Sequence, residues 1–548
     1  MKPLILQSDH SILLEVENSQ YHECRDFLTI FAELIKSPEF IHTYKTTPLS
    51  LWNAAALDHS LDKILGGIEK YSKYSPPHNV LNDIKEWYQQ YGKLILKKHD
   101  DDFLILSSND SFIFDKITNN KNLKSFWQSK EDNRLLIKKN DRGNIKHALI
   151  KAGYPVKDLC GYIAGEELAV KLREVDTNGN NFTLRNYQKE AVDAFYQKGK
   201  YTGGSGVIVL PCGAGKTIIG LAVLASISNH TLVITTNNIS VKQWQNEILS
   251  KTSVSRDDIG EYTGASKDIK PITVTTYQMI THRKSADHEM QHLKIFTERK
   301  WGLIIYDEAH TLPAPVFSIT TFIQAKRRLG MTATLVREDG REDDVFALIG
   351  PKRYDIPWKV LENNGYIAEA FCIEYRVSLS KKLQQSYAYA EPRQQFRVAA
   401  ENLKKLELLQ ELIKKHSQDQ ILIIGQYISQ LQEIVKLLNL PLITGKTVNK
   451  KREELYNKFK SGEINVLVVS KVANFAVDLP DANILVQMSG SYGSRQEEAQ
   501  RLGRILRPKK KHSFFYSLVS HNTVEQDFSI NRQLFLLEQG YKYEIRYG

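Results

Sequence analysis

Residues 207–217 read Val-Ile-Val-Leu-Pro-Cys-Gly-Ala-Gly-Lys-Thr, an apolar, β-branched run that stops at Leu210 and turns through two glycines into Lys-Thr. A short apolar run ending in a glycine turn predicts a buried parallel strand that feeds a helix, with backbone N–H groups facing an anion where the helix begins. Pro211, Cys212, Gly213, Ala214 and Gly215 form the expected cradle. Lys216 is the side chain that reaches the β- and γ-phosphates, and the Thr217 hydroxyl is a ligand for Mg²⁺. The strict phosphate-loop spelling has glycine where this chain has Leu210, yet Gly213 and Gly215 still free the backbone nearest the phosphates.

Working outward from that turn, β-branched runs at 206–210, 231–236, 271–276, 302–306 and 327–331 alternate with amphipathic stretches, which predicts a parallel sheet with crossover helices. A second series, near 419–425, 442–443, 465–470, 484–488 and 513–519, predicts a second α/β domain in tandem. The expected divisions are 181–355 and 416–548 for the two domains, with 356–415 as a linker or helical insertion. The first 180 residues differ in character. Residues 1–94 read as mostly helical, with amphipathic stretches at 61–71 and 80–88 around the breaker Ser75-Pro76-Pro77. Residues 95–180 read as a small α+β module whose strands include 94–96, 103–106 and 112–114, followed by a polar linker at 176–181. The sequence shows no internal repeat.

Composition narrows the class. The 548 residues exceed what a single core supports, so several domains are expected. Lys and Arg number 74 against 63 Asp and Glu, a net charge of +11 that suits a polyanionic partner and equally serves general solubility. The four cysteines, Cys24, Cys160, Cys212 and Cys372, are scattered without paired spacing, which argues against a zinc or iron–sulfur site and fits a reducing compartment. The N-terminus has acidic residues where a signal peptide needs an apolar core, and no run reaches the ~18 apolar residues of a membrane span. A cytoplasmic, nucleoid-associated protein with no membrane partner is the expectation.

The remaining chemistry lies at strand ends. Tyr306-Asp307-Glu308-Ala309-His310 puts two carboxylates after an apolar run, where ligands gather in a doubly wound sheet. Asp307 suits the Mg²⁺ shell, and Glu308 suits orienting and deprotonating a water. Gln188, in Leu184-Arg185-Asn186-Tyr187-Gln188, can present a donor and an acceptor to an adenine edge. In Gln500-Arg501-Leu502-Gly503-Arg504-Ile505-Leu506-Arg507, a helical reading brings Arg504 and Arg507 to one face, with the fork geometry to neutralise a transferring γ-phosphoryl. Hydroxyls after strands, at Thr235-Thr236, Thr275-Thr276-Tyr277 and Ser470-Lys471, are candidates for phosphate-backbone contact, Tyr277 being equally readable as core.

Taken in order, Arg185/Gln188, 211–217, 307–310, Thr332-Ala333-Thr334 and 500–507 resemble the superfamily 2 helicases. Within them the chain is most similar to the XPB-type helicases: Thr332-Ala333-Thr334 runs into Arg337-Glu338-Asp339, and Ser470-Lys471-Val472, Asp478-Leu479-Pro480 and 514–520 agree with the same family. Two positions depart from it, with Ala473 and Asn474 where the family has Gly and Asp. The resemblance spans about 180–548, with a weaker likeness at Thr47–Trp52 and in the 95–165 module, which it identifies with a damage-recognition domain.

The resemblance implies two RecA-like motor domains, ATP and Mg²⁺ as cofactors, and DNA-stimulated ATP hydrolysis that drives 3′–5′ unwinding in nucleotide excision repair. It implies nucleotide contacts from Arg185 and Asp478, coupling to DNA through His310, Thr332, Thr334, Thr276, Ser470, Lys471 and Gln500, and strand separation by Arg337, Glu338 and Asp339. The implied partner is DNA at a single-strand/duplex junction; a repair nuclease is a further candidate, and a monomer is expected because one chain holds both motor domains. Alternatives stay open at this point: a double-strand translocase with little unwinding, an RNA helicase, and a non-catalytic nucleic-acid scaffold.

Overall fold

The computed structural model describes residues 2–36, 40–100, 102–160, 165–199, 203–211, 213–282, 292–296, 298–312, 325, 327–333, 345, 348–470, 482–490, 495–507 and 512–548. The chain divides into two compact units, the first made of Met1–Ile35, Glu39–Leu210 and Gly215–Asp355, the second mainly of Ile356–Gly548.

The first unit begins with a four-stranded sheet, β1 (Leu4–Leu6), β2 (Ser11–Glu15), β3 (Glu33–Lys36) and β4 (Ile41–Lys45), in the order β1-β2-β4-β3. These strands are only three to five residues long, so a helical reading of 1–94 passes over them. Helices Pro48–Ala56, Leu61–Tyr71 and His78–Gln90 follow. The first starts on a reciprocal cap between Thr47 and Ser50 with Pro48 in the first turn, so the Thr47–Trp52 segment is a helix start.

The small module is a five-stranded sheet of β5 (Leu94–Lys98), β6 (Phe103–Ser108), β7 (Trp127–Glu131), β8 (Arg134–Lys138) and β9 (Val156–Asp158), in the order β7-β8-β6-β5-β9. Residues 112–114, expected as a strand, lie instead in the helix Ser111–Asn119. Asp110 caps that helix by accepting from the Ile113 N–H, and Ile113, Phe114 and Ile117 bury one helical face, so the apolar run follows a 3.6-residue period. Asp158 closes the module in an ion pair with Arg142 at 2.8 Å and Lys146 at 3.2 Å.

The first motor sheet holds seven parallel strands, β10 (Ser205–Val209), β11 (Thr231–Thr235), β12 (Ile259–Tyr262), β13 (Ile272–Thr276), β14 (Leu303–Asp307), β15 (Arg327–Thr332) and β16 (Lys352–Asp355). Their order is β12-β13-β11-β14-β15-β10-β16. β11 and β13 are buried at every residue, as expected for strands covered on both faces. The chain order changes direction beside β10, so the ends of β10, β14 and β15 meet at one switch point.

The second motor sheet contains β17 (Ala370–Val377), β18 (Ile421–Gly425), β19 (Leu442–Ile443), β20 (Val466–Ser470), β21 (Ile484–Gln487), β22 (Ser513–Ser520) and β23 (Tyr543–Tyr547), again all parallel. Its order, β19-β20-β18-β21-β22-β17-β23, repeats that of the first sheet strand for strand. The repeat is one of topology, invisible in the residues themselves.

β17 corrects the expected boundary at 416. It lies between β22 and β23, and helices Lys381–Tyr389, Pro392–Ala400 and Lys404–Lys415 follow it, so 356–415 belongs to the second unit and is no linker. The last of these helices is pinned internally. Lys405, wholly buried, donates to both oxygens of Glu525 at 2.8 and 2.7 Å and to the Met488 carbonyl at 3.1 Å, while the Ser520 N–H donates to Glu525 Oε2. Among the described residues no helix is long and apolar enough to cross a membrane.

Candidate functional site

β10 ends at Val209, and Gly213 and Gly215 carry the chain through φ values of +82° and +78° into the helix Lys216–Ile227. Only glycine takes the left-handed conformation at Gly215 without strain, and a Cβ there would stand 2.7 Å from Gln188 Nε2. A helix that starts in such a glycine turn directs its first N–H groups and the positive end of its dipole at the turn, an arrangement that fits a phosphate. Pro211 and Ala214 are buried, the Ala214 N–H donating to the Pro211 carbonyl, and Thr217 lies in the first helical turn. Cys212 lies outside the described residues.

Beside this helix start the structure gathers four of the expected residues. Lys216 Nζ is 3.6 Å from Glu308 Oε1, Glu308 Oε2 is 3.5 Å from His310 Nδ1, and His310 Nδ1 shares a 2.6 Å hydrogen bond with Thr332 Oγ1. The ends of β14 and β15 are thus joined through side chains. Glu308 adopts φ +49°, a left-handed conformation that costs an acidic residue about 1 kcal/mol or more and turns its carboxylate back toward Lys216.

Asp307, one residue earlier, is held differently. Trp244 Nε1–H donates to its Oδ2 at 2.9 Å, the Glu308 N–H donates to Oδ1 at 3.1 Å, and the Tyr277 hydroxyl donates to its backbone carbonyl at 2.9 Å. Burial, with the Glu308 charge added, pushes the Asp307 carboxyl up to about 6, against the opposing pull of Trp244 and Lys216. Asp307 and Thr217 would together hold a divalent cation, whose charge would stabilise the buried carboxylate. The donor set, carboxylate and hydroxyl oxygens, is the one Mg²⁺ takes.

Arg185 and Gln188 open the helix Asn186–Tyr196 as a capping pair: Gln188 Oε1 accepts from the Arg185 N–H at 2.9 Å. The expected acceptor for an adenine edge is thus engaged within its own helix start, while Nε2 lies against Gly215. Thr276 is buried and caps Tyr277–Thr281 by accepting from the Met279 N–H; Ser470 is buried at the end of β20. Of these two candidates for phosphate-backbone contact, the Thr276 hydroxyl serves the helix start that follows it. Thr334, Arg337, Glu338, Asp339, Lys471 and Asp478 lie outside the described residues, as do Ala473 and Asn474.

In the second unit the helix Arg495–Gly503 carries Gln500 and ends before the arginines of interest. Arg504 begins a turn, its N–H donating to the Arg501 carbonyl, and Arg507 follows in a bend, so the two do not share one helical face. Both are half-buried. Arg501, to which sequence reading gave no role, is fully buried and donates to Gln487 and Glu497, which fixes the segment to β21. Trp244 is the other residue that sequence reading missed, because an aromatic in an amphipathic helix reads as core; Tyr277 was read as a backbone-contact candidate or as core, and its bond to Asp307 was not foreseen.

Family profiles match three stretches: residues 361–546 the ERCC3/RAD25/XPB C-terminal helicase, residues 181–337 the type III restriction enzyme res subunit, and residues 4–131 a helicase conserved C-terminal domain. The DNA 3′-5′ helicase XPB of Kineococcus radiotolerans is 47% identical over 99% of this chain and 96% of its own length. The protein of the same name in Mycobacterium tuberculosis is 45% identical over 99% and 97%. The general transcription and DNA repair factor IIH helicase/translocase subunit XPB of Enterocytozoon bieneusi is 34% identical over 100% and 93%. With likeness at this level along its whole length, the chain belongs to the XPB helicase family.

Proposed function

We infer that this protein is an ATP-dependent 3′–5′ DNA helicase that serves DNA repair. The observation that carries the reading is the side-chain series from Lys216 through Glu308 and His310 to Thr332, which ties a phosphate-binding helix start to the next strand of the sheet. The names and full-length coverage of the two bacterial relatives support the polarity and the DNA substrate.

In this reading the N-terminal N–H groups of Lys216–Ile227 and the Lys216 ammonium hold the β- and γ-phosphates, and Glu308 orients the attacking water and takes its proton. Thr217 and Asp307 would hold Mg²⁺, which would supply neutralising charge to the phosphate oxygens. Arg504 and Arg507 supply charge to the γ-phosphoryl, with Arg501 holding their segment in place. His310 and Thr332 carry the state of Glu308 to β15, after which come Thr334 and Arg337-Glu338-Asp339, the proposed strand-separating element. Asp478, Lys471 and Gln500 contribute to nucleotide and DNA contact from the second unit. The protein works as a monomer in the nucleoid, with a repair nuclease as its partner.

A second reading, translocation along duplex DNA with little unwinding, is favoured by the word translocase in the name of the microsporidian relative. The test is strand displacement on 3′-tailed, 5′-tailed and blunt duplexes beside ATP hydrolysis with single-stranded DNA, duplex DNA or RNA. Unwinding of the 3′-tailed duplex alone, with DNA and not RNA as stimulator, is the expected result. Hydrolysis without displacement on any substrate would establish the second reading, and stimulation by RNA would overturn both.

A further inference from the structure

Asp307 receives a hydrogen bond from each of two elements that follow neighbouring strands. Trp244 lies in the helix Asn238–Lys251, which starts at the end of β11 on the cap of Asn237; Tyr277 opens the helix Tyr277–Thr281 at the end of β13. The indole N–H holds the carboxylate at Oδ2 and the phenol O–H holds the backbone carbonyl of the same residue, both at 2.9 Å. Both rings are buried, and room for the indole is made by Gly220, where a Cβ would stand 2.5 Å from the Trp244 ring. A packing role alone would not require both polar atoms to be aimed at one residue.

We propose that Trp244 and Tyr277 are positioning residues that hold Asp307 in register for the divalent cation, so that movement of the segments after β11 and β13 is felt at the metal ligand. This rests on the reading of Asp307 as a cation ligand given above. Groups that orient a metal-bound side chain without touching the metal typically account for about 10–100-fold in its affinity. Trp244 fixes which carboxylate oxygen is turned away from the site, and Tyr277 fixes the strand end that carries it.

The test uses the full chain with ADP and Mn²⁺, the cation followed by the loss of its free paramagnetic signal. Trp244→Phe and Tyr277→Phe each keep a ring and remove one donor. The expected result is that Trp244→Phe weakens Mn²⁺ binding to the ADP complex about tenfold, while ADP binding in EDTA and the melting temperature stay near wild type. Tyr277→Phe weakens it in the same direction by roughly threefold, within the range for one neutral hydrogen bond. Mn²⁺ affinities equal to wild type in both variants would overturn the proposal. Should Trp244→Phe not fold, Tyr277→Phe decides alone on the same criterion. If the wild type binds ADP in EDTA but gains no Mn²⁺ on doing so, it is the assignment of Asp307 as a ligand that fails.

Discussion

Glu308 concentrates the chemistry of the first unit in one strained residue. Its left-handed backbone aims the carboxylate between Lys216 and His310, so replacing it by an uncharged isostere leaves the geometry and removes the proposed base. Glu308→Gln is expected to lower ATP turnover by about 10²–10⁴-fold, the usual worth of a general base, while nucleotide affinity is kept. Lys216→Ala is expected to lose both, which equilibrium binding beside single-turnover hydrolysis will separate. Thr332→Ala cuts the His310 hydrogen bond without touching the phosphate side. Its signature is hydrolysis within a few-fold of wild type and a larger loss of strand displacement. Equal losses in both assays would mean that the bond only stabilises the fold. Lys216 and Glu308 were legible in the sequence because a glycine turn with lysine and a carboxylate pair follow strand ends in the right order, while His310 and Thr332 came from the resemblance. The bonds of Trp244 and Tyr277 to Asp307 were not legible, since a hydrogen bond between distant segments leaves no periodic trace.

At the level of elements, the strands read from the sequence were mostly those buried on both faces, with β5, β6 and β19 besides. β10, β11, β13, β14 and β18 are runs of apolar residues whose sequence alone marks a parallel sheet. The edge strands β16 and β23 read Lys-Arg-Tyr-Asp and Tyr-Glu-Ile-Arg-Tyr, with charges that serve an edge and hide a strand. β17 was hidden by Glu374, a buried carboxylate inside an interior strand, which Arg376, Ser529 and Gln533 satisfy. The small module depends on a comparable buried group. Burial alone would raise the Asp158 carboxyl, but Lys146 and Arg142 outweigh it and hold it well below its usual range near 3.8. A depressed carboxyl contributes stability above its unfolded value and loses it as the pH falls below that. The module is therefore expected to loosen below about pH 4, followed by limited proteolysis of the N-terminal 180 residues. Asp158→Asn should cost up to about 3–5 kcal/mol in denaturant unfolding at neutral pH and flatten that acid dependence, because it leaves two half-buried cations with no counter-charge.

Over the whole molecule, the net charge of +11 and the family's polyanionic substrate predict binding that falls steeply with salt. If DNA is held mainly through its phosphates, log affinity against log salt should be linear with a slope near −0.7 per phosphate contacted for single strands, and little affected by base sequence. A flat plot would point to recognition by stacking or base edges. The identical strand order of the two motor sheets gives each of them a switch point where a cation meets strand ends. At the first, Lys216 stands 3.6 Å from Glu308, close enough to attract and too far to hydrogen-bond. At the second, Lys405 is held at 2.7 and 2.8 Å by both oxygens of Glu525 and sealed from water. A carboxylate built into the chain thus occupies in one half the part proposed for a visiting phosphate in the other. The expected stoichiometry is one nucleotide per polypeptide, countable by equilibrium dialysis, although both sheets share one strand order.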